Sequence, residues 1–336
     1  MKILVTGGAG YIGGFTVAAL KKAGLMPIVF DSLETGHEEA IPETKIYQGN
    51  LLQDLSLLKT VFQKEKPTAV IHFAAYIAMG ESVIDPQKYF YNNVVGTLNL
   101  LKVMLENDVK KIVFSSSAGV YGETKEMPIS EEAPKNPTNP YGETKLMVEK
   151  ILESYTGAYC LDAIALRYFN AAGAALDGSM GQDYALPTHL ITRACEAALD
   201  KRKFEIFGND YPTPDGTAIR DYIHVLDLAE AHVAALRFLE KNKTGFCAFN
   251  VGTGKGYSVM EVVKMVKKVS GIDFASPVAL RRPGDAAETV AKVDKIKKEL
   301  DWEPKYSDLE TIIKTAWNWH KSHPNGYGFN PAREEN

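Results

Sequence analysis

Residues 2–14, KILVTGGAGYIGG, decide the fold. A short β-forming run, Lys2–Thr6, enters a glycine-rich turn, and Tyr11–Ala23 continues with helical periodicity. Gly7, Gly10 and Gly13 stand between them at GxxGxxG spacing. Glycines so placed permit the tight turn, let the backbone approach a pyrophosphate and pack the helix onto the strand. The helix start then offers free N–H groups and a positive dipole end to phosphate. Taken alone, the pattern also fits a βα turn that binds nothing.

The same strand–helix alternation continues outward. Pro27–Asp31, Thr68–Phe73, Lys111–Ser115 and Asp162–Tyr168 read as strands, while Leu55–Glu65, Pro86–Asn107 and Tyr141–Tyr155 read as helices. Runs such as AVIHFA and KIVFSS are apolar nearly throughout, as in a sheet covered on both faces. This rhythm predicts an α/β fold: a doubly wound parallel sheet, the Rossmann type of nucleotide-binding domain, over residues 1–170. After Asn170 glycine-rich irregular stretches take over, with helices predicted at Pro187–Asp200, Leu226–Lys241, Ser258–Ser270 and Leu309–His320. Residues 171–336 are expected to form a smaller mixed α/β unit over the carboxyl edge of the sheet, with some elements returning to the first domain. The polar tail from residue 330 is expected to fray.

Composition narrows the class. The 336 residues are 45% hydrophobic and 24% charged, which excludes a disordered chain, a collagen-like repeat and a small disulfide scaffold. A formal net charge of −4 gives no general attraction for nucleic acid or anionic lipid. Cys160, Cys195 and Cys247 are odd in number, lack a CxxC spacing and read as buried thiols of a reducing compartment. No apolar run is long enough for a spanning helix, and the N-terminus does not read as a signal peptide. A soluble cytoplasmic enzyme or nucleotide-binding regulator is expected.

Asp31 gives the glycine turn a ligand. It ends the second strand 24 residues after Gly7, near the offset of an acid that accepts from the adenosine ribose hydroxyls and repels a 2′-phosphate. Ser32, Leu33, Glu34 and Thr35 follow with no basic residue, so NAD is favoured over NADP. A capping role is the bland alternative for Asp31. Further on, PYGETK places Tyr141 and Lys145 four apart on a predicted helix, on one face. An ammonium beside a phenol is expected to draw its pKa from about 10 toward neutrality and make it a usable base. Ser115, Ser116 and Ser117 end the preceding strand, where a hydroxyl can share the moving proton. A surface helix pair is the alternative for YxxxK alone; beside the glycine turn, Asp31 and the serines, chance explains it poorly.

TGGAGYIG, SSSAGVYG, NPYGETK and RDYIHVLDLA, in this order, resemble the extended short-chain dehydrogenase/reductase superfamily. Within it the chain resembles, over almost its whole length, the UDP-glucose (UDP-galactose) 4-epimerase family, through HFAAYIAMGESV, LRYFNAAGA, IFGNDYPTPDGTAIRDYIHV, RRPGD and TAWNWHKSHPNGY. The resemblance implies interconversion of the two UDP-sugars by transient oxidation at carbon 4, rotation of the 4-keto sugar and re-reduction. It implies Ser117, Tyr141 and Lys145 as catalytic residues. For NAD it implies Gly7, Gly10, Tyr11, Ile12, Gly13, Asp31, Ser32, Asn50, Leu51, Phe73, Ala74, Ala75, Asn92, Ser115, Tyr141, Lys145 and Tyr168. For the UDP-sugar it implies Ser117, Tyr141, Asn170, His189, Leu190, Phe207, Arg220, Arg282 and Asp285. Two arginines offer forked donors to a diphosphate, although each alone also reads as a surface ion pair. It further implies a homodimer through helices near Pro86–Asn107 and Tyr141–Tyr155.

Four positions depart from the family pattern. Asn50 stands where Asp is frequent and Ile77 where Lys is frequent, so NAD is expected to be held less tightly than in typical relatives. His189 replaces a frequent Asn, and Thr289 a wall residue that is Tyr in some members; a small wall admits a 2-acetamido sugar. No metal site is expected: His320 and His323 lack companions and read as surface residues, while His224 and His232 read as packing or hydrogen-bonding groups. A 4,6-dehydratase would carry an acid pair where Ala118 and Gly119 follow Ser117. A UDP-N-acetylglucosamine or UDP-pentose epimerase and, less readily, a non-catalytic NAD-binding regulator are the remaining alternatives. UDP-sugar and a second copy of the chain are the expected partners, with no nucleic acid or membrane.

Overall fold

The computed structural model describes residues 1–124, 126–184, 187–282 and 285–328. The first half alternates as the sequence predicts: β1 (Lys2–Thr6), α1 (Tyr11–Lys22), β2 (Met26–Asp31), β3 (Lys45–Gln48), α2 (Leu55–Glu65), β4 (Ala69–His72), α3 (Met79–Ile84), α4 (Pro86–Tyr89), α5 (Gly96–Glu106), β5 (Lys111–Ser117), α6 (Pro140–Tyr159) and β6 (Asp162–Tyr168). There follow β7 (Asn170–Ala172), α7 (Leu190–Leu199), β8 (Ile206–Phe207), β9 (Ile219–His224), α8 (Val225–Lys241), β10 (Phe246–Val251), β11 (Gly256–Ser258), α9 (Val259–Ser270), β12 (Val278–Ala279), β13 (Glu288–Thr289), α10 (Asp294–Leu300) and α11 (Leu309–Ser322).

Seven parallel strands form the main sheet in the order β10-β6-β5-β4-β1-β2-β3. Its strands divide their side chains by the two-residue period of a pleated sheet. Ile3 and Val5 of β1, Val113 of β5, and Ile164 and Leu166 of β6 face one core layer with Leu20 of α1 and Leu228 and Leu236 of α8. Leu4, Ile112, Phe114, Ala163 and Ala165 face the other, against Leu58 of α2, Leu101 of α5 and Leu152 of α6. Each fully buried aliphatic side chain contributes about 1.5–3 kcal/mol, so both faces are strongly specified. The order in which strands are added reverses about β1, whose neighbours are β4 on one side and β2 on the other. Ligands of open α/β sheets bind at the carboxyl end of such a switch.

A second sheet is built on β9, paired with β7, β11 and β13; β8 and β12 pair separately. β6 ends at Tyr168 and β7 begins at Asn170, so one residue separates the main sheet's carboxyl edge from the second sheet. That continuity sets the second sheet at the carboxyl end of β6.

Several expectations need correction. The helix predicted over Pro86–Asn107 runs without interruption from Pro86 to Glu106 but widens in its middle: α4 and α5 are joined by a π-helical segment, Phe90–Val95, which carries the buried Asn93. Its side chain bonds the Tyr76 backbone and Thr144, and that attachment favours the wider turn. Two edge strands, β3 and β10, escape the sequence reading because one is short and half exposed and the other lies beyond the first half of the chain. Of the three cysteines only Cys195 is buried; Cys160 is exposed because it closes α6 with a left-handed backbone at φ 56°. His320 is buried, and His323 stacks on Trp319 at 3.8 Å. Trp302, Trp317 and Trp319 pack in the interior, as expected of the C-terminal segment. The polar tail lies outside the described residues.

Candidate active site

At the end of β1 the glycine turn has no room for side chains where it meets the protein. Gly7 takes φ +73°, and a Cβ there would lie 2.5 Å from the Ala74 nitrogen. A Cβ on Gly13 would stand 2.2 Å from the Gly7 carbonyl oxygen, so this glycine lets α1 settle on the turn. Gly10 differs: a Cβ would meet only the Gly7 oxygen, at 3.4 Å, leaving a bare backbone surface. It is also the residue from which α1 starts, without a side-chain cap. An uncapped helix start behind a bare glycine surface fits a pyrophosphate.

The flanking residues fit the rest of a dinucleotide. Asp31 is buried at the end of β2; one carboxylate oxygen accepts from Ala9 N–H and the other from Leu33 N–H, both at 2.9 Å. Burial pushes its pKa up, against the pull of these two donors. Asp31 thus performs the bland turn-holding role while each oxygen keeps lone-pair capacity for a ribose hydroxyl. Ser32 follows, its hydroxyl accepting from Glu34 N–H at 3.4 Å. Asn50 and Leu51 leave β3 on the same edge; Asn50 Oδ1 accepts from Leu52 N–H at 2.8 Å, and the Leu51 carbonyl from Asn99 at 2.9 Å. Phe73, Ala74 and Ala75 leave β4, with Phe73 and Ala74 N–H both donating to the Thr6 carbonyl. Tyr11 donates to the Gly173 carbonyl at 2.7 Å, Ile12 lies on the first turn of α1, and Asn92 is bonded to Asn93 at 3.1 Å.

Between β5 and α6 lie Ser117, Tyr141 and Lys145, the three residues the resemblance implies for catalysis. Tyr141 and Lys145 are both buried, which excludes a surface pair. Lys145 Nζ donates to the Ser115 carbonyl at 2.7 Å and lies 5.8 Å from the Tyr141 ring centroid. The Ser117 hydroxyl accepts from Gly119 N–H at 3.0 Å and lies near enough to the Tyr141 phenol to pull its pKa down. The Ser115 hydroxyl is taken by Tyr168. The expected depression of the phenol is absent: burial raises the Tyr141 pKa, and only the Ser117 hydrogen bond pulls it down. Burial instead lowers Lys145 to about 7, with Glu149 opposing. The amine is therefore poised to exchange a proton near neutrality.

Sequence reading missed the layer beneath. His72 bridges Thr6 at 2.7 Å and Thr97 at 2.8 Å, and burial drives it to about 3, so it is neutral beside Lys145. Glu149, one helical turn past Lys145, accepts from Arg167 at 2.9 and 2.6 Å and from Ser116 at 2.5 Å. The i, i+4, i+8 spacing of Tyr141, Lys145 and Glu149 was the available signal.

Residues implied for the sugar nucleotide are carried by the second sheet and by α7, β8 and the segment before β13. In register, Asn170 of β7 faces Tyr222 of β9, and Thr289 of β13 faces Arg220. Asn170 donates to the Asp221 carbonyl at 3.0 Å. Asp285 stands between the two arginines, 2.9 Å from Arg282 and 3.9 Å from Arg220. The Arg282 guanidinium lies 4.8 Å above the Phe207 ring. His189 and Leu190 open α7; His189 stacks on Tyr184 and receives Gln182 at 3.2 Å, and burial lowers its pKa. Pro283 and Gly284 of the RRPGD stretch lie outside the described residues.

Residues 3–252 match the family model described as "NAD dependent epimerase/dehydratase family". The chain is 50% identical over 329 residues to a UDP-glucose 4-epimerase of Halalkalibacterium halodurans, covering 97% of this chain and 98% of the relative. Among solved structures it superposes with TM-score 0.92 on the UDP-glucose 4-epimerase of Bifidobacterium longum in complex with NAD+ and UDP, at 41% identity over 97% of this chain and 100% of that one. It also superposes with TM-score 0.84 on the UDP-Glc/GlcNAc 4-epimerase of Campylobacter jejuni, at 44% identity over 96% and 99% of the two chains.

Proposed function

Because the chain belongs to the NAD-dependent epimerase/dehydratase family, we propose that its cleft carries out the NAD-dependent interconversion of UDP-glucose and UDP-galactose. The observation that carries this reading is the buried Ser117–Tyr141–Lys145 group at the sheet's carboxyl edge, together with a second sheet bearing Arg220 and the segment before β13 that brings Arg282 and Asp285 to it. The glycine turn, the α1 start and Asp31 would hold NAD, with Ser32, Asn50, Leu51, Phe73, Ala74, Ala75, Asn92 and Tyr168 around it. When bound, NAD supplies the oxidant for carbon 4 and the matching reductant on the return step.

The chain's own residues handle protons and position. In its phenolate form the Tyr141 oxygen accepts the proton of the sugar 4-hydroxyl and later returns it, with the Ser117 hydroxyl beside it in both forms. Lys145 adjoins this exchange with an amine that titrates near neutrality. Arg220 and Arg282 hold the diphosphate, and Asp285 exchanges arginine contacts for the uridine ribose hydroxyls. Binding energy is then spent on UDP, away from the reacting carbon, which lets the 4-keto hexose turn without leaving. We assign the sugar-nucleotide unit to residues 171–336, less β10 and α8, which complete the main sheet.

The test is UDP-galactose with purified protein and no added oxidant: UDP-glucose accumulates, and its absence with correctly folded, NAD-loaded protein overturns the assignment. Thr289 widens the expected range. Its register beside Arg220 puts a small side chain at the sugar-nucleotide cluster, so UDP-N-acetylglucosamine is also turned over. Thr289→Tyr is expected to lower that activity at least ~10-fold more than the activity on UDP-glucose.

The exposed apolar side chains Val83, Ile84, Tyr91 and Val95 lie on α3 and the π-helical segment beside α6. Their burial against a second copy supports a homodimer. Sedimentation equilibrium should give twice the chain mass, and a monomer at micromolar concentration would overturn this.

A further inference from the structure

We propose that Glu34 and Tyr76 form a clasp across the mouth of the dinucleotide cleft that slows release of bound NAD; this stands on the NAD assignment above. β2 and β4 are both direct neighbours of β1. The loops leaving their carboxyl ends therefore flank the glycine turn, about 10 Å apart from strand spacing. Glu34 lies in the first loop and Tyr76 in the second. The Tyr76 hydroxyl reaches the Glu34 carboxylate, at 2.8 Å from each oxygen. A bond joining these two loops crosses the end of β1, where the glycine turn presents its bare backbone.

Both anchors are fixed. The Tyr76 N–H donates to Asn93 Oδ1 at 2.9 Å, and its carbonyl accepts from Asn93 Nδ2 at 3.1 Å. Lys88 Nζ sits 4.2 Å from the centroid of its ring. Across the cleft, Glu34 follows Leu33, whose N–H is held by Asp31 and whose φ is 59°. Two residues beyond, a Cβ on Gly36 would lie 2.9 Å from Ala9, so this loop rests on the glycine turn itself. The clasp thus ties the ribose-binding turn of Asp31 to Asn93, which also bonds Thr144, the neighbour of Lys145. Ile77, next to Tyr76, is exposed and uncharged, so it offers the phosphates no ionic hold. Retention at this edge falls to the clasp, which must open for the dinucleotide to leave.

The experiment uses isotope-labelled NAD bound to the full chain, chased with excess unlabelled NAD and followed by rapid filtration. Glu34→Gln and Tyr76→Phe preserve shape and remove the charged acceptor or the donor. Each is expected to accelerate release about 10-fold, the scale of one charge-assisted hydrogen bond partly screened by water. The double variant should release no faster than Tyr76→Phe alone, because that change removes the bond and Glu34→Gln only weakens the same one. Unchanged release in both single variants overturns the clasp, as does a double variant whose effect is the product of the two. Wild-type protein that retains no labelled NAD overturns the cofactor assignment instead, and the two failures are distinguishable.

Discussion

Tyr141→Phe is expected to lower kcat at least ~100-fold while leaving UDP binding within a few-fold of wild type, on the scale of general acid–base catalysis. The phenol is the group within reach of Ser117 that can take a proton from a hydroxyl, and its ring is buried at the start of α6. Phenylalanine fills the same volume, so loss of activity cannot be traced to a collapsed site. Burial holds the free phenol above its ordinary range, so it rests protonated and must ionise before it can act as a base. Lys145, brought to about 7 by burial, can exchange a proton at little cost near neutral pH. Arg220 on β9 and Arg282 and Asp285 in the segment before β13 make no contact with the phenol and do not depend on it. Steady-state kinetics with calorimetric titration of UDP separates the two effects. A kcat within 10-fold of wild type would remove Tyr141 from the proposed chemistry.

A second large effect concerns stability. Arg167→Met is expected to cost about 3–5 kcal/mol, because it strands a buried carboxylate. Glu149 and Arg167 are each almost fully buried and meet at 2.6 and 2.9 Å; Arg167 also donates to Tyr121 at 2.9 Å and to the Glu131 carbonyl at 3.0 Å. Pairing Arg167→Met with Glu149→Leu removes both charges and should recover most of the loss, since an apolar pair escapes the desolvation penalty. Urea unfolding at constant m-value checks both variants. A single variant within about 1 kcal/mol of wild type would show that the pair contributes little. Glu149 also lies one turn beyond Lys145 on α6, so its loss is felt at the amine as well.

Much of this was legible in the sequence, for reasons that particular residues make plain. β1 and β6 match their predicted bounds because an apolar run covered on both faces leaves no ambiguity of period. The Gly7–Gly13 turn was readable because close approach to Ala74 and to the turn itself admits no side chain. Tyr141 and Lys145 were readable because i, i+4 spacing fixes a common face. Three things were hidden. The π-helical segment depends on Asn93 finding the Tyr76 backbone, a contact no local pattern encodes. The raised phenol depends on how far α6 sinks against β5, which spacing alone does not give. The Glu34–Tyr76 bond joins residues 42 apart in the chain, through loops whose strands are adjacent only to a third.

The position of β10 has a consequence for synthesis. When a ribosome has released residue 170, the nascent chain holds β1 to β6, but one side of β6 still lacks its partner. That edge stays open until Val251 emerges, roughly eighty residues later, or about 4 to 16 s at ordinary elongation rates. Over most of the same interval the layer that α8 will cover remains wet. The interval is a window for chaperone capture or strand-to-strand association between polysomes, and shortening the gene at its midpoint would make it permanent.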